Sequence, residues 1–141
     1  MISRRQFLAR AAATAAEPRI LCGAGTERGF SFGLVADAQY ADSDDKGTRY
    51  YRASVEKLGA AVEDFQREDL AFCVHLGDLI DRQWRSFAEI SRPLASSRHR
   101  WHHLLGNHDF EVLDEEKARV PLRLGMPGRY YSLDRKSTRL N

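Results

Sequence analysis

The chain has 141 residues, 43% of them hydrophobic and 30% charged, which is enough for one modest globular domain and excludes a fibrous or low-complexity protein. Its formal charge of +2 comes from its ends: between Thr26 and Leu133, 15 Lys/Arg stand against 18 Asp/Glu, so no basic stripe suggests a nucleic-acid partner. Two cysteines exclude a disulfide framework, and no stretch approaches the roughly 18 apolar residues that a membrane span needs.

Ser3-Arg4-Arg5-Gln6-Phe7-Leu8 resembles the twin-arginine export motif, and Ala11 to Ala16 supplies the small residues of a cleavage region. The resemblance implies that residues 1–28 are an export signal and that the protein is periplasmic or extracellular. A basic N-terminal arm on a cytoplasmic protein is the alternative. Cys22 follows Arg19-Ile20-Leu21, a poor lipoprotein box, so no lipid anchor is expected.

Phe30 to Ala36 is rich in strand formers and reads as a first strand, buried on both faces. Asp42 to Gly47 is a polar loop. From Thr48 to Glu68 the pattern turns helical, with Tyr51, Val55, Leu58, Val62 and Phe65 on one face. Leu70 to Leu76 is a second strand, and Cys73 within it a small buried hydrophobe. Trp84 to Ser96 reads as a second helix, Trp101 to Leu105 as a third strand, and Glu111 to Arg119 as a charged helix. Tyr130 to Leu133 would open one more strand. Strand, helix, strand in this order implies right-handed crossovers and a parallel sheet. The last eight residues, Asp134 to Asn141, resemble the in-frame translation of a sequencing adapter, so this tail is expected not to belong to the fold.

Each strand ends in polar groups. The first runs into Asp37-Ala38-Gln39, the second into Gly77-Asp78-Leu79-Ile80-Asp81, the third into Gly106-Asn107-His108-Asp109. Ligands of open α/β sheets bind beyond the carboxyl ends of the strands, so three chain-distant clusters should meet at one edge. Asp37 and Asp78 are hard anionic donors, and Gln39 and Asn107 offer amide oxygens, a set that suits Mn or Mg better than thiols would. Gly77 and Gly106 would let the backbone turn tightly beside a bound ion. His108 would stand free to give a proton to a leaving group. Asp109 would orient that imidazole or cap a helix.

In this order and spacing, D-x-Q, G-D and G-N-H-D resemble the motifs of the calcineurin-like metallophosphoesterases. F-G-L-V-A-D-A-Q-Y-A-D, R-Y-Y-R-A-S, L-G-D-L-I-D and H-H-L-L-G-N-H-D are similar more narrowly to the manganese-dependent ADP-ribose/CDP-alcohol diphosphatases, over Phe30 to Met126. The resemblance implies an α-β-β-α sandwich, incomplete at its C-terminal side, with residues 29–133 forming its N-terminal part. It implies two divalent ions, Mn preferred, with Mg, Fe or Zn as alternatives. Asp37 and Gln39 would hold the first ion, Asp78 would bridge both, and Asn107 would bind the second. His108 would assist attack and departure at phosphorus. Asp109, where that family usually has Glu, would act at one remove. The substrate would be a small phosphorylated compound of ADP-ribose or CDP-alcohol type. A phosphomonoesterase or cyclic-nucleotide phosphodiesterase of the same fold, or an inactive fragment, are the competing readings, since the family's further histidine motifs are absent here. Oligomeric state is not legible.

Among the remaining polar residues, Asp81 reads as a helix N-cap and His75 as a satisfied core residue. His99 belongs to a solvated loop, and Arg52 is a distant candidate for a phosphate contact.

Overall fold

The computed structural model describes residues 29–133. The expected export motif, Cys22 and the 134–141 tail lie outside them. The strand-forming runs become β1 (Ser31–Val35), β2 (Leu70–Leu76) and β3 (Trp101–Leu104). The amphipathic stretches become α1 (Ser54–Phe65) and α2 (Ser86–Ala95). All three strands are parallel, in the order β1-β2-β3. Gly33, Cys73 and Trp101 lie side by side across the sheet, and Val35, His75 and His103 form the next such row.

Two successive crossovers of the same hand, stepping in the same direction, carry both helices to one face of the sheet. There α1 and α2 pack on each other, and Leu58, Val62, Phe87, Ile90 and Leu94 form the core with Leu79, Ile80 and Val120. Gly33 makes the close approach of α1 possible. A Cβ at that position would sit 2.9 Å from both the Cys73 sulfur and the Phe65 ring. Cys73 is a free, buried thiol, as its apolar surroundings suggest.

The same topology corrects the expectation that β1 is buried on both faces. Phe32 and Leu34 remain 45% and 49% exposed, because no helix lies on their side of the sheet. On that side Phe32 stacks on Phe72, whose ring meets His102 edge-on. Among the described residues there is one sheet and one helical layer.

Other boundaries shift for local reasons. The first helix begins at Ser54 rather than Thr48, because Lys46 and Arg49 exchange backbone hydrogen bonds in a tight turn around Gly47, at φ +61°. Tyr51 is nevertheless buried. The stretch from Glu111 yields two short turns of helix, α3 (Asp114–Lys117) and α4 (Val120–Arg123). Tyr130 to Leu133 is not a strand. Instead the Tyr131 hydroxyl receives the His103 N–H at 3.0 Å and donates to the His103 carbonyl at 2.7 Å, occupying the edge of β3 that another strand would use. His99, expected in solvent, places Nε2 2.9 Å from the Phe65 carbonyl.

His75 and His103 are buried neighbours with ring centroids 6.1 Å apart. The His75 ring is not hydrogen-bonded among the described residues as that of a satisfied core residue would be. Neither of its ring nitrogens, nor Nδ1 of His103, has a partner among the described residues. Burial first, then the His103 imidazole in the case of His75 and the His102 imidazole in the case of His103, pushes the pKa of each down to about 4. An unfolded histidine titrates near 6.5, so between that value and 4 the unfolded chain binds protons that the folded one does not. Stability therefore falls as pH drops through this window, by roughly 1–2 kcal/mol per histidine at pH 5. Urea midpoints at pH 7.5 and 5.0 measure the loss, and His75→Gln should reduce it. An unchanged slope in that variant would remove His75 from the account.

Candidate active site

Past its last residue β1 continues into Asp37-Ala38-Gln39-Tyr40, alongside the chain leaving β2. Asp37 N–H donates to the Gly77 carbonyl at 3.3 Å, Gln39 N–H to Asp78 at 2.8 Å, and Tyr40 N–H to Leu79 at 3.1 Å. Asp81 N–H returns a bond to Tyr40 at 2.9 Å. The pairing thus extends beyond the regular sheet, but its backbone does not stay extended. Asp37, Gln39 and Asp78 lie at φ +54°, +45° and +56°, next to Gly77 at +92°. A left-handed backbone costs a non-glycine residue about 1–2 kcal/mol and persists only where its surroundings enforce it. Three of the four expected metal ligands are held this way.

The third loop joins through side chains. Asp78 Oδ1 accepts the His108 N–H at 2.9 Å. The Asp109 carboxylate accepts four backbone N–H groups: Asp78 (3.0 Å), Leu79 (2.9 Å), Ile80 (3.3 Å) and Gly106 (2.9 Å). Burial pushes its pKa up, and the four donors act in the opposite direction. Asp109 therefore neither caps a helix nor meets the His108 ring, contrary to both expectations for it. It fastens the loop after β3 to the loop after β2. The glycines permit the contact: a Cβ on Gly77 would lie 2.7 Å from Gly106 N, and one on Gly106 would overlap Asp78 Oδ1.

Asp37, Gln39, Asp78 and Asn107 accordingly stand on three loops tied together at one end of the sheet, the arrangement that the motif positions anticipate. Asp37 and Asn107 are exposed, Gln39 and Asp78 half-buried. Among the described residues no three His, Cys, Asp or Glu side chains gather into an ion-holding cluster. The donor chemistry here is two carboxylates and two amides, which fits part of the shell of a hard divalent cation.

His108 is oriented by a residue assigned a different task from sequence. Its Nδ1 lies 3.3 Å from the Asp81 carbonyl and 3.5 Å from Asp81 Oδ1, which leaves Nε2 as the other working atom. Asp81 is not an N-cap, since α2 starts at Ser86 after Arg85. It is a buried carboxylate that receives Arg49 Nη1 at 3.2 Å and Arg82 Nε at 2.6 Å. The Arg82 guanidinium lies over the Tyr51 ring, 5.5 Å from its centroid. Arg49 and Arg82 were not legible as site residues, because Arg49 is 32 positions from the carboxylate it meets. Arg52, by contrast, is tied to Asp42 and Asp44 in an exposed loop at 2.7 and 2.9 Å. Its hydrogen bond to Asp42 holds that carboxyl below its ordinary range.

A parallel α/β sheet with carboxylates, amides and an oriented histidine beyond its carboxyl ends is the layout of a phosphoesterase domain. Residues 30–137 match the family model of the calcineurin-like phosphoesterases, and the chain belongs to that family. It is similar to the manganese-dependent ADP-ribose/CDP-alcohol diphosphatase of Xenopus tropicalis, at 38% identity over 102 residues, 62% of this chain and 30% of that protein. The protein of the same name from Arabidopsis thaliana is 36% identical over 116 residues, 71% of this chain and 35% of the relative. Among solved structures, a dimetal phosphatase from Danio rerio superposes with a TM-score of 0.55 at 33% identity, over 64% of this chain and 33% of that one. The chain spans about a third of the length of the relatives it matches.

Asp109→Ala would leave four N–H groups without their acceptor, those of Leu79 and Ile80 fully buried, and each unsatisfied buried group costs about 1–3 kcal/mol. A loss of roughly 3 kcal/mol or more is expected in urea denaturation. A loss below about 1 kcal/mol would show that the two loops hold each other without this carboxylate.

Proposed function

We propose that this chain carries part of the active site of a manganese-dependent phosphohydrolase. It would cleave phosphoanhydride or phosphodiester bonds in small nucleotide-like compounds of ADP-ribose or CDP-alcohol type, at a dinuclear centre. The observation that carries this reading is the left-handed backbone at Asp37, Gln39 and Asp78, strain held where the similar diphosphatases would need ligands. In the proposal Asp37 and Gln39 hold one ion, Asp78 is shared, and Asn107 serves the other. Bound ions of this kind polarise the phosphoryl group.

The residues of the chain do the rest. The loop fastening by Asp109 ties the loop that carries Asp78 to the loop that carries Asn107, so both would be in place before substrate arrives. With Nδ1 turned to Asp81, Nε2 of His108 is the atom that can reach a leaving-group oxygen. Water would bond to phosphorus as the P–O bond to the leaving group breaks; the electron pair of the broken bond stays on the leaving oxygen, which takes the Nε2 proton, and the attacking water gives up a proton in its place. The backbone N–H of His108, which holds Asp78, is independent of the ring, so the histidine side chain can be changed without loosening the carboxylate.

That independence supplies the test. Asp78→Asn should weaken Mn binding and reduce turnover of ADP-ribose by about a thousandfold. His108→Asn should reduce kcat by about 10²–10⁴-fold with Mn affinity unchanged. Parallel assays with p-nitrophenyl phosphate and cyclic AMP separate the bond types. Turnover of monoesters alone would overturn the diphosphatase reading. Because four donors fill only part of two coordination shells, the chain of 141 residues should by itself bind Mn weakly. Export through the motif at Ser3 to Leu8 is a further proposal, tested by fractionation with Arg4→Lys/Arg5→Lys.

A further inference from the structure

Among the described residues four non-glycine side chains stand on a left-handed backbone: Asp37, Gln39, Asp78 and Gln83, the last at φ +66°. Three of them are the expected metal ligands; Gln83 is not. Its turn does not need a glutamine. The Gln83 N–H donates to the Glu111 carbonyl at 2.9 Å, and the Gln83 carbonyl accepts the Ser86 N–H at 3.0 Å, where α2 begins. Both are main-chain bonds, which glycine would make as well and without strain. The side chain is exposed, and its Oε1 accepts Arg85 Nε at 3.0 Å. An exposed hydrogen bond offsets little of the strain, because water would serve either partner. Backbone strain that the fold does not require points to a functional task for the side chain it carries.

The position of Gln83 narrows that task. Two residues before it, Asp81 orients the His108 ring, and the carbonyl that receives its N–H belongs to Glu111, three residues after His108. Gln83 therefore stands in the seam between the loop of Asp78 and the loop of His108. A leaving group that takes its proton from His108 has to extend past this imidazole. With Oε1 occupied by Arg85, the amide keeps its NH2 for another partner, two N–H donors without charge. Such a donor suits a hydroxyl oxygen, whereas a phosphate is better met by a guanidinium. We infer that Gln83 is a specificity-determining residue for the leaving group, its amide donating to a hydroxyl of the sugar or polyol that this group carries. The inference rests on the phosphohydrolase reading above, and it adds the class of leaving group and the side chain that selects it.

The test uses the metal-free chain with chelator present, so that it does not depend on turnover. In proton–nitrogen correlation spectra the Gln83 side-chain amide is itself the reporter. Ribose-5-phosphate should shift that amide saturably, and inorganic phosphate at the same concentrations should leave it in place. Gln83→Gly should weaken ribose-5-phosphate binding by about threefold or more, as expected for one neutral hydrogen bond. The same variant should not lower the urea midpoint, because glycine relaxes the turn. An unmoved Gln83 amide, or binding undiminished in the glycine variant, overturns the inference even if the Mn-loaded protein hydrolyses ADP-ribose. A lowered midpoint also overturns it, since the side chain would then be holding the turn. A shift and a loss of affinity that both depend on Gln83 uphold it even if no turnover is found, in which case the catalytic reading alone falls.

Discussion

The candidate site depends on one buried carboxylate. Asp109 has no exposed surface, and a carboxylate so placed is costly unless its lone pairs are filled. Four backbone N–H groups fill them, three from the loop after β2 and one from the loop after β3. Those N–H groups would themselves be unsatisfied without it, so donor and acceptor each make the other's burial tolerable. The result is a fixed distance between two loops that the sheet alone would leave free to diverge. Asp78 can then remain left-handed, with its carboxylate against the His108 N–H and over Gly106, where any larger residue would collide with it.

Asp81 organises the other side of the same site. It gathers Arg49, Arg82 and the His108 ring around one buried group, with two half-exposed guanidinium groups beside the imidazole. The pairing with arginine matters more than its energy as an ion pair, which solvent at the half-exposed guanidinium groups reduces. It fixes two cationic donors beside the candidate site, and through Arg49 it reaches a hollow between β1 and α1. The His108 ring and the two arginines thereby share a support, so substitutions at Asp81 would disturb all three.

The parallel order β1-β2-β3 explains why these groups meet at all. In a parallel sheet every strand delivers its carboxyl end to the same edge, so residues 37, 78 and 107 arrive together although some 70 positions separate the first from the last. The two crossovers set both helices on one face and leave Phe32, Leu34, Leu76 and Leu104 partly exposed on the other. The region shared with the Danio rerio dimetal phosphatase covers a third of that longer chain.

Short apolar runs rich in strand formers were sufficient for the strands, and apolar spacing for the first long helix, because both report directly on which side chains a regular backbone can bury together. The motif positions of Asp37, Gln39, Asp78, Asn107 and His108 were legible for the same reason: each follows a strand end at short range. What lay beyond the sequence was every role set by partners far along the chain. Asp81 looked like a cap until Arg49 and Arg82 were seen on it, and Asp109 looked like a partner of the adjacent histidine until its four N–H donors were in view. His75 looked satisfied because burial and hydrogen bonding cannot be separated in a linear pattern. Local spacing determines which element forms, but a carboxylate's task is set by whatever donors tertiary packing brings within about 3 Å, and only the folded chain decides that.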